Sequence, residues 1–163
     1  MTNAKRVILI AAFFFSAGTL VEASPILFLV RHAEKTATGG NDPELSFAGH
    51  ERAEALARIL KDSEITAIFT SEFKRTQQTA VPTAKATRIT PTIVPANDVA
   101  ALVEKLRSLK GNALVVGHGN TIPDLAKELG IITPVNISEN DYNELFVVIL
   151  GDNPQVLRLH YPT

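Results

Sequence analysis

The chain has no cysteine, no excess of either charge and no run of like-charged residues. The first absence excludes disulfides, a thiol nucleophile, thiolate metal sites and a lipid-modified N-terminal cysteine. The second, 16 basic against 17 acidic residues, removes the reason to expect a polyanion-binding surface, so nucleic acid is not an expected partner. HExxH, a carboxylate cluster and paired histidines at ligand spacing are all missing, and the sequence asks for no metal and no other cofactor. No repeat of solenoid period is visible. What remains is 163 residues, 45% hydrophobic and 20% charged, enough for one domain with a proper core and too few for two.

Lys5 and Arg6 precede an apolar stretch from Val7 to Leu20, and Val21-Glu22-Ala23 sets small residues around one variable position. This is the pattern of a secretory signal cleaved before Ser24. A retained membrane anchor and an element of the folded domain are the other readings, although the stretch is short of the ~20 residues that cross a bilayer comfortably. Residues 1–23 are therefore read as a signal peptide and residues 24–163 as an exported domain, periplasmic or secreted, with no stable membrane insertion after cleavage. Setting aside Lys5, Arg6 and Glu22 leaves 14 basic and 16 acidic residues, a mildly acidic domain.

From Ser24 short apolar runs alternate with helical patterns. ILFLV (Ile26 to Val30) and AIFTS (Ala67 to Ser71) read as strands buried on both faces. TPTIVP reads as a short third strand and ALVVG (Ala113 to Gly117) as a fourth. Ser46 is placed to cap the helix FAGHERAEALARILKD. FKRTQQTAVPTAKA reads as a second helix that Pro82 kinks or limits. Asn97 or Asp98 caps the helix VAALVEKLRSL, and Gly130 suits the C-terminal cap of TIPDLAKELG. LFVVIL and QVLRLHY, separated by GDNP, form a hairpin. The expectation is an α/β fold, a three-layer αβα sandwich with a largely parallel central sheet and a C-terminal antiparallel hairpin.

Ligands in such sheets bind beyond the carboxyl ends of the strands. Arg31 and His32 follow the first strand, Ser71 and Arg75 the second, and His118 with Asn120 the fourth. Two arginines and two histidines brought to one rim make an anion pocket, because the guanidinium fork matches phosphoryl oxygens and its charge is permanent. A neutral imidazole adds a nucleophile that can attack phosphorus and carry the group covalently. Ser71 reads as a helix cap, Asn120 as a cap that also lines the pocket, and Lys35, His50 and His160 as solvated or structural.

These residues resemble the signatures of a known family. FLVRHAEK (Phe28 to Lys35), TSEFKRTQQTA (Thr70 to Ala80), VVGHGNT (Val115 to Thr121) and LSFAGHERA (Leu45 to Ala53) are similar, in order, to segments of the histidine phosphatase superfamily, also called phosphoglycerate mutase-like. The resemblance implies that His32 is the phosphate-accepting nucleophile, that Arg31 and Arg75 clamp the phosphoryl oxygens, and that His118 completes the pocket. Gly119 after His118 departs from the branch that has Asp there. For the acid that protonates the leaving group, Asp98 is the candidate, with an ordinary helix cap as its other reading. Glu34 is the alternative, a donor-free mechanism a third choice, and Glu104 falls inside a helix.

The implied function is a metal-independent phosphatase that hydrolyses a phosphomonoester or phosphoramidate through a phosphohistidine on His32. Its partner would be a phosphorylated small molecule, glycan, lipid or protein, since the span between Arg75 and His118 encodes no large lid. The alternative is a phosphate-binding or interaction module with little turnover; a phosphomutase fits a short exported chain less well.

Overall fold

In the computed structural model, which describes residues 24–162, the central strand explains the layering. β1 (Ile26–Arg31) sends Leu27 and Leu29 into one apolar core and Phe28 and Val30 into another. β4 (Asn112–Gly117) repeats this, with Ala113 and Val115 on one side and Leu114 and Val116 on the other. Strands with both faces covered have no place for alternating polar residues, hence their unbroken apolar runs.

β2 (Ile65–Thr70), β3 (Thr92–Ile93), β5 (Glu144–Ile149) and β6 (Gln155–His160) complete a six-stranded sheet of order β3-β2-β4-β1-β5-β6. The pairs β3/β2, β2/β4 and β4/β1 are parallel, whereas β1/β5 and β5/β6 are antiparallel. Helices α1 (Phe47–Ile59) and α2 (Lys74–Thr87) pack on one face. Helices α3 (Val99–Arg107) and α4 (Thr121–Glu128) pack on the other. The three layers and the terminal hairpin are those expected. The expected export segment, residues 1–23, lies outside the described residues.

Two local expectations need correction. The third strand is only two residues long, because Pro91 and Pro95 flank it and cannot donate to a ladder. Pro82 does not limit α2, which runs on to Thr87 and closes at Arg88 in a left-handed conformation (φ 60°). After α4, Gly130 adopts φ 94°, with Gly130 N–H donating to Lys127 and Ile131 N–H to Ala126 at 3.0 Å each. That is the Schellman closure a glycine at this position makes possible.

One junction matters for the site. Ser46 caps α1 by accepting from Gly49 N–H (3.2 Å), and its own N–H donates to the Glu34 carbonyl at 2.9 Å. A Cβ on Gly49 would lie 2.1 Å from that carbonyl oxygen, so α1 is pressed backbone to backbone onto the segment that follows His32. Gly49→Ala should therefore destabilise the fold by ~1–3 kcal/mol through overpacking. A denaturant titration of the purified chain would read this as a lowered midpoint; an unchanged midpoint would mean that the contact is not tight.

Candidate active site

The parallel pairing of β1 with β4 sets Arg31 opposite Gly117, and His32 N–H continues the ladder by donating to the Gly117 carbonyl at 2.9 Å. His32 and His118 consequently leave the sheet side by side, ring centroids 5.4 Å apart and edge to face. β2 ends next to them, and the turn after Thr70 starts α2 early enough to bring Arg75 to the same rim.

His32 is buried, and its Nδ1 lies 2.8 Å from the Ala33 carbonyl. A carbonyl only accepts, so Nδ1 carries the proton and Nε2 keeps the lone pair. The Ala33 peptide is itself fixed, its N–H donating to Thr79 Oγ1 (3.0 Å) while that hydroxyl donates to the Arg75 carbonyl (2.7 Å). Burial lowers the His32 pKa to about 4; the Ala33 bond opposes this, and the charges of His118, Arg31 and Arg75 reinforce it. The ring is therefore neutral near pH 7, with a nucleophilic nitrogen of fixed identity.

The two arginines are held from behind. Arg31 donates through one terminal nitrogen to the carbonyls of Ser138 (3.0 Å) and Glu139 (2.5 Å), and its guanidinium lies 4.3 Å from the centre of the Tyr142 ring. Arg75 stacks on Phe73 at 4.3 Å, with the Asp42 carboxylate 3.9 Å away. Both Nε–H groups are buried without a hydrogen-bond partner. A buried unpaired donor costs about 1–3 kcal/mol, a debt that an oxyanion placed between the two guanidinium groups would cancel.

His118 donates its backbone N–H to Thr121 Oγ1 (2.9 Å) and its Nε2 lies 2.9 Å from Ser71 Oγ. Phe73 meets its ring edge-on at 5.3 Å. Burial lowers its pKa to about 4, helped by Arg75 and Arg31 and opposed by Glu72. Ser71 is not the cap of α2, as the sequence had led us to expect: the cap position is Phe73, and Asp42 from a distant loop accepts the Lys74 N–H at 2.9 Å. Ser71 instead joins His118 to Thr76 Oγ1, 2.9 Å away. Asn120 occupies the cap position of α4 without a side-chain cap bond and lines the outer cleft beside Phe73, Arg75 and His118.

The candidate acids are occupied. Burial, the largest single influence, would raise the Glu34 carboxyl, but hydrogen bonds from Arg52 (2.6–2.9 Å), a backbone hydrogen bond and the charges of Arg52 and Arg31 together hold the group below the usual carboxylate range. Asp98 lines the crevice that Ser71 and His118 also border, and its carboxylate caps α3 by accepting from Ala101 N–H at 3.0 Å. Glu104, Lys35, His50 and His160 are exposed. Sequence reasoning missed Phe73, Thr76 and Tyr142. Thr76 adjoins Arg75 and could have been noticed, whereas nothing marks Tyr142, far along the chain, as a neighbour of Arg31. Among the described residues no group of three or more histidines and acids is arranged to hold a metal, and no helix is long and apolar enough to cross a membrane.

The family model described as histidine phosphatase superfamily (branch 1) matches residues 27–98, the stretch that carries Arg31, His32 and Arg75. That stretch is under half of the chain, and over it the chain is similar to the histidine phosphatase superfamily. The likeness supports a phosphatase enzyme, and branch 1 agrees with Gly119, rather than Asp, after His118. No curated protein matches the chain. Among solved structures it is similar to the protein histidine phosphatase SixA complexed with tungstate, with 21% identity over 83% of this chain and 96% of that one, and TM-score 0.72. It is similar also to a mycobacterial glucosyl-3-phosphoglycerate phosphatase with inorganic phosphate, with 17% identity over 82% and 96% of the two chains and TM-score 0.68. A third, a mycobacterial hydrolase, has 15% identity over 86% and 93%, and TM-score 0.67. At these identities the likeness is one of fold.

The two buried histidines give the protein's stability a definite pH dependence. Each has a folded pKa of about 4 against 6.5 when unperturbed, so between those values the unfolded chain binds protons that the folded chain refuses. Stability should be level above pH 6.5 and fall as pH drops toward 4. Glu34, held low by Arg52, adds its own loss only below the ordinary carboxyl range. Denaturant midpoints measured from pH 7.5 to pH 5 would show the decline, and His118→Asn should remove part of it. A flat series for the unaltered chain would contradict the buried neutral histidines.

Proposed function

We propose that the protein hydrolyses a phosphomonoester or a phosphoramidate through a covalent phosphohistidine on His32. The observation that carries this reading is the pair of buried, unpartnered Nε–H groups on Arg31 and Arg75 beside a histidine whose lone pair is confined to Nε2. A phosphoryl group seated against the two guanidinium forks satisfies both donors and spreads its charge over permanent cations. His32 Nε2 attacks phosphorus, the bond to the leaving group breaks, and water later displaces the imidazole. The permanent charges sit where the equatorial oxygens gain charge in the transition state, and their preorganisation lowers the barrier. No step in this reading is routed through a metal.

The same site on a binding module would need the anion but no fixed tautomer. The Ala33 carbonyl, itself braced through Thr79 and Arg75, fixes the tautomer here and favours turnover. Export rests on residues 1–23 and travels with this reading; the substrate would then be a phosphate group met outside the cytoplasm.

The purified chain should hydrolyse a generic aryl phosphate and form an acid-labile phosphoenzyme. His32→Ala should abolish both, and Arg31→Ala or Arg75→Ala should lower kcat by ~10²–10³-fold, the usual effect of deleting one transition-state donor. A chelator should leave the rate unchanged. Phosphate binding without any phosphoenzyme would establish the binding module instead.

A further inference from the structure

Four carboxylates near the phosphate site, those of Glu34, Asp42, Glu72 and Asp98, already serve as acceptors. Glu34 takes Arg52, Asp42 takes the Lys74 N–H at 2.9 Å, Glu72 takes the Ala96 N–H at 2.8 Å and Asp98 takes the Ala101 N–H at 3.0 Å. A carboxylate engaged in this way as an acceptor is not free to turn and donate to a leaving group. Departure of an alkoxide or phenoxide nevertheless calls for a general acid.

His118 is placed differently, and the protons around it can be assigned by counting. Thr76 has one hydroxyl proton, and its shortest contact is with the Phe73 carbonyl, a pure acceptor, at 2.8 Å. Its oxygen meanwhile receives the Ser71 N–H at 3.2 Å. Thr76 Oγ1 is therefore the acceptor for the Ser71 hydroxyl at 2.9 Å. Ser71 Oγ, its proton spent, receives the Phe73 N–H at 3.4 Å and can only accept from His118 Nε2 at 2.9 Å. The chain of donors runs from imidazole to serine to threonine to carbonyl, with every contact supplied by one proton. Nε2 is thereby protonated. Nδ1, which no described residue hydrogen-bonds, keeps its lone pair, and the centroids of the His118 and His32 rings are 5.4 Å apart.

We propose that His118 is the proton shuttle of the reaction, exchanging protons at Nδ1, and that Ser71 and Thr76 are positioning residues that hold its other proton on Nε2. The proposal rests on the reading that His32 is phosphorylated. A substrate monoanion, seated between Arg31 and Arg75, passes its proton to Nδ1. His32 Nε2 bonds to phosphorus as the phosphorus–oxygen bond to the leaving group breaks, and the leaving oxygen takes the proton from Nδ1. In the second half a water oxygen bonds to phosphorus as the bond to His32 Nε2 breaks, and a water proton passes to Nδ1. The phosphate carries that proton away, so one ester monoanion and one water become one alcohol and one dihydrogen phosphate. The groups facing His118 suit this cycle. Arg75 from α2 and Arg31 from β1 disfavour its proton, Glu72 before α2 favours it and His32 is neutral, so a bound phosphoryl group tips the ring toward accepting.

The test compares kcat/KM of the full chain on two aryl phosphates, because this ratio reports the steps up to loss of the leaving group. Dinitrophenyl phosphate expels a stable anion and needs no acid, whereas phenyl phosphate does. His118→Asn retains a hydrogen-bond donor but cannot shuttle, and should lose ~10²–10⁴-fold on phenyl phosphate and less than about tenfold on the dinitrophenyl ester. Thr76→Val should show a smaller loss of the same selective kind and a displaced acid limb of the pH profile, both reversed in Thr76→Ser. Equal losses on the two esters in His118→Asn would overturn the proposal, as would a selective loss in Asp98→Asn or Glu72→Gln. Activity of the unaltered chain on neither ester would overturn the phosphatase reading itself, and is a different result from equal losses.

Discussion

The parallel register of β1 on β4 is the constraint from which the site follows. Arg31 stands opposite Gly117, so the residues after each strand, His32 and His118, emerge as neighbours. Side chains alternate along a strand, and a slip of one residue would turn Arg31 to the other face and exchange the two apolar cores. The burial of Leu27, Leu29 and Val30 on opposite sides of one strand forbids that slip. Core packing thus sets the distance between the two histidines, although no core residue touches substrate. Gly49 extends the same logic: its close approach to the Glu34 carbonyl lets α1 lock the segment that follows His32.

Gathering two arginines and two histidines at one rim has an electrostatic cost, and the surroundings show how it is met. Burial keeps both imidazoles neutral, so only the arginines carry charge. Each guanidinium is supported by an aromatic ring that also neighbours one of the histidines. Carbonyls of the segment before β5 and the Tyr142 ring hold Arg31, while Phe73 and Asp42 flank Arg75. Neither support uses the Nε–H, and these are the donors left for an anion. A site built this way is less stable empty than filled, which is how binding strength is reserved for phosphate.

The chain order of apolar runs and the three basic segments was enough to foresee the layers and the convergence of Arg31, His32, Arg75 and His118. What escaped was contact between distant segments. Ser71 looked like the cap of α2 because a serine before a helix commonly is one. Asp42, about thirty residues upstream, does that work and frees Ser71 to reach His118. Tyr142 and the carbonyls of Ser138 and Glu139 lie in an irregular stretch with no periodic pattern, so no local rule could aim them at Arg31. The short third strand is the opposite case. Pro91 and Pro95 were visible, and their missing N–H groups account for the truncation.

Gly119 links the clamp to the proton question. A Cβ at this position would lie 3.7 Å from Arg31 Nε, an ordinary contact, so sterics alone do not demand a glycine. Charge does. A carboxylate one bond further out would reach the unpartnered Nε–H and compete for it with the phosphoryl oxygen. Leaving position 119 without a side chain keeps that donor for phosphate, but it also removes the residue best placed to deliver a proton at the same rim. Glu34, Asp42, Glu72 and Asp98 are committed to Arg52 or to backbone N–H groups, which leaves the proposed role to the imidazole one residue earlier. Its Nε2 is anchored through Ser71 and Thr76 and its ring packs edge to face on that of His32, which makes the absence of an acid at position 119 and the hydroxyl chain behind His118 two halves of one arrangement.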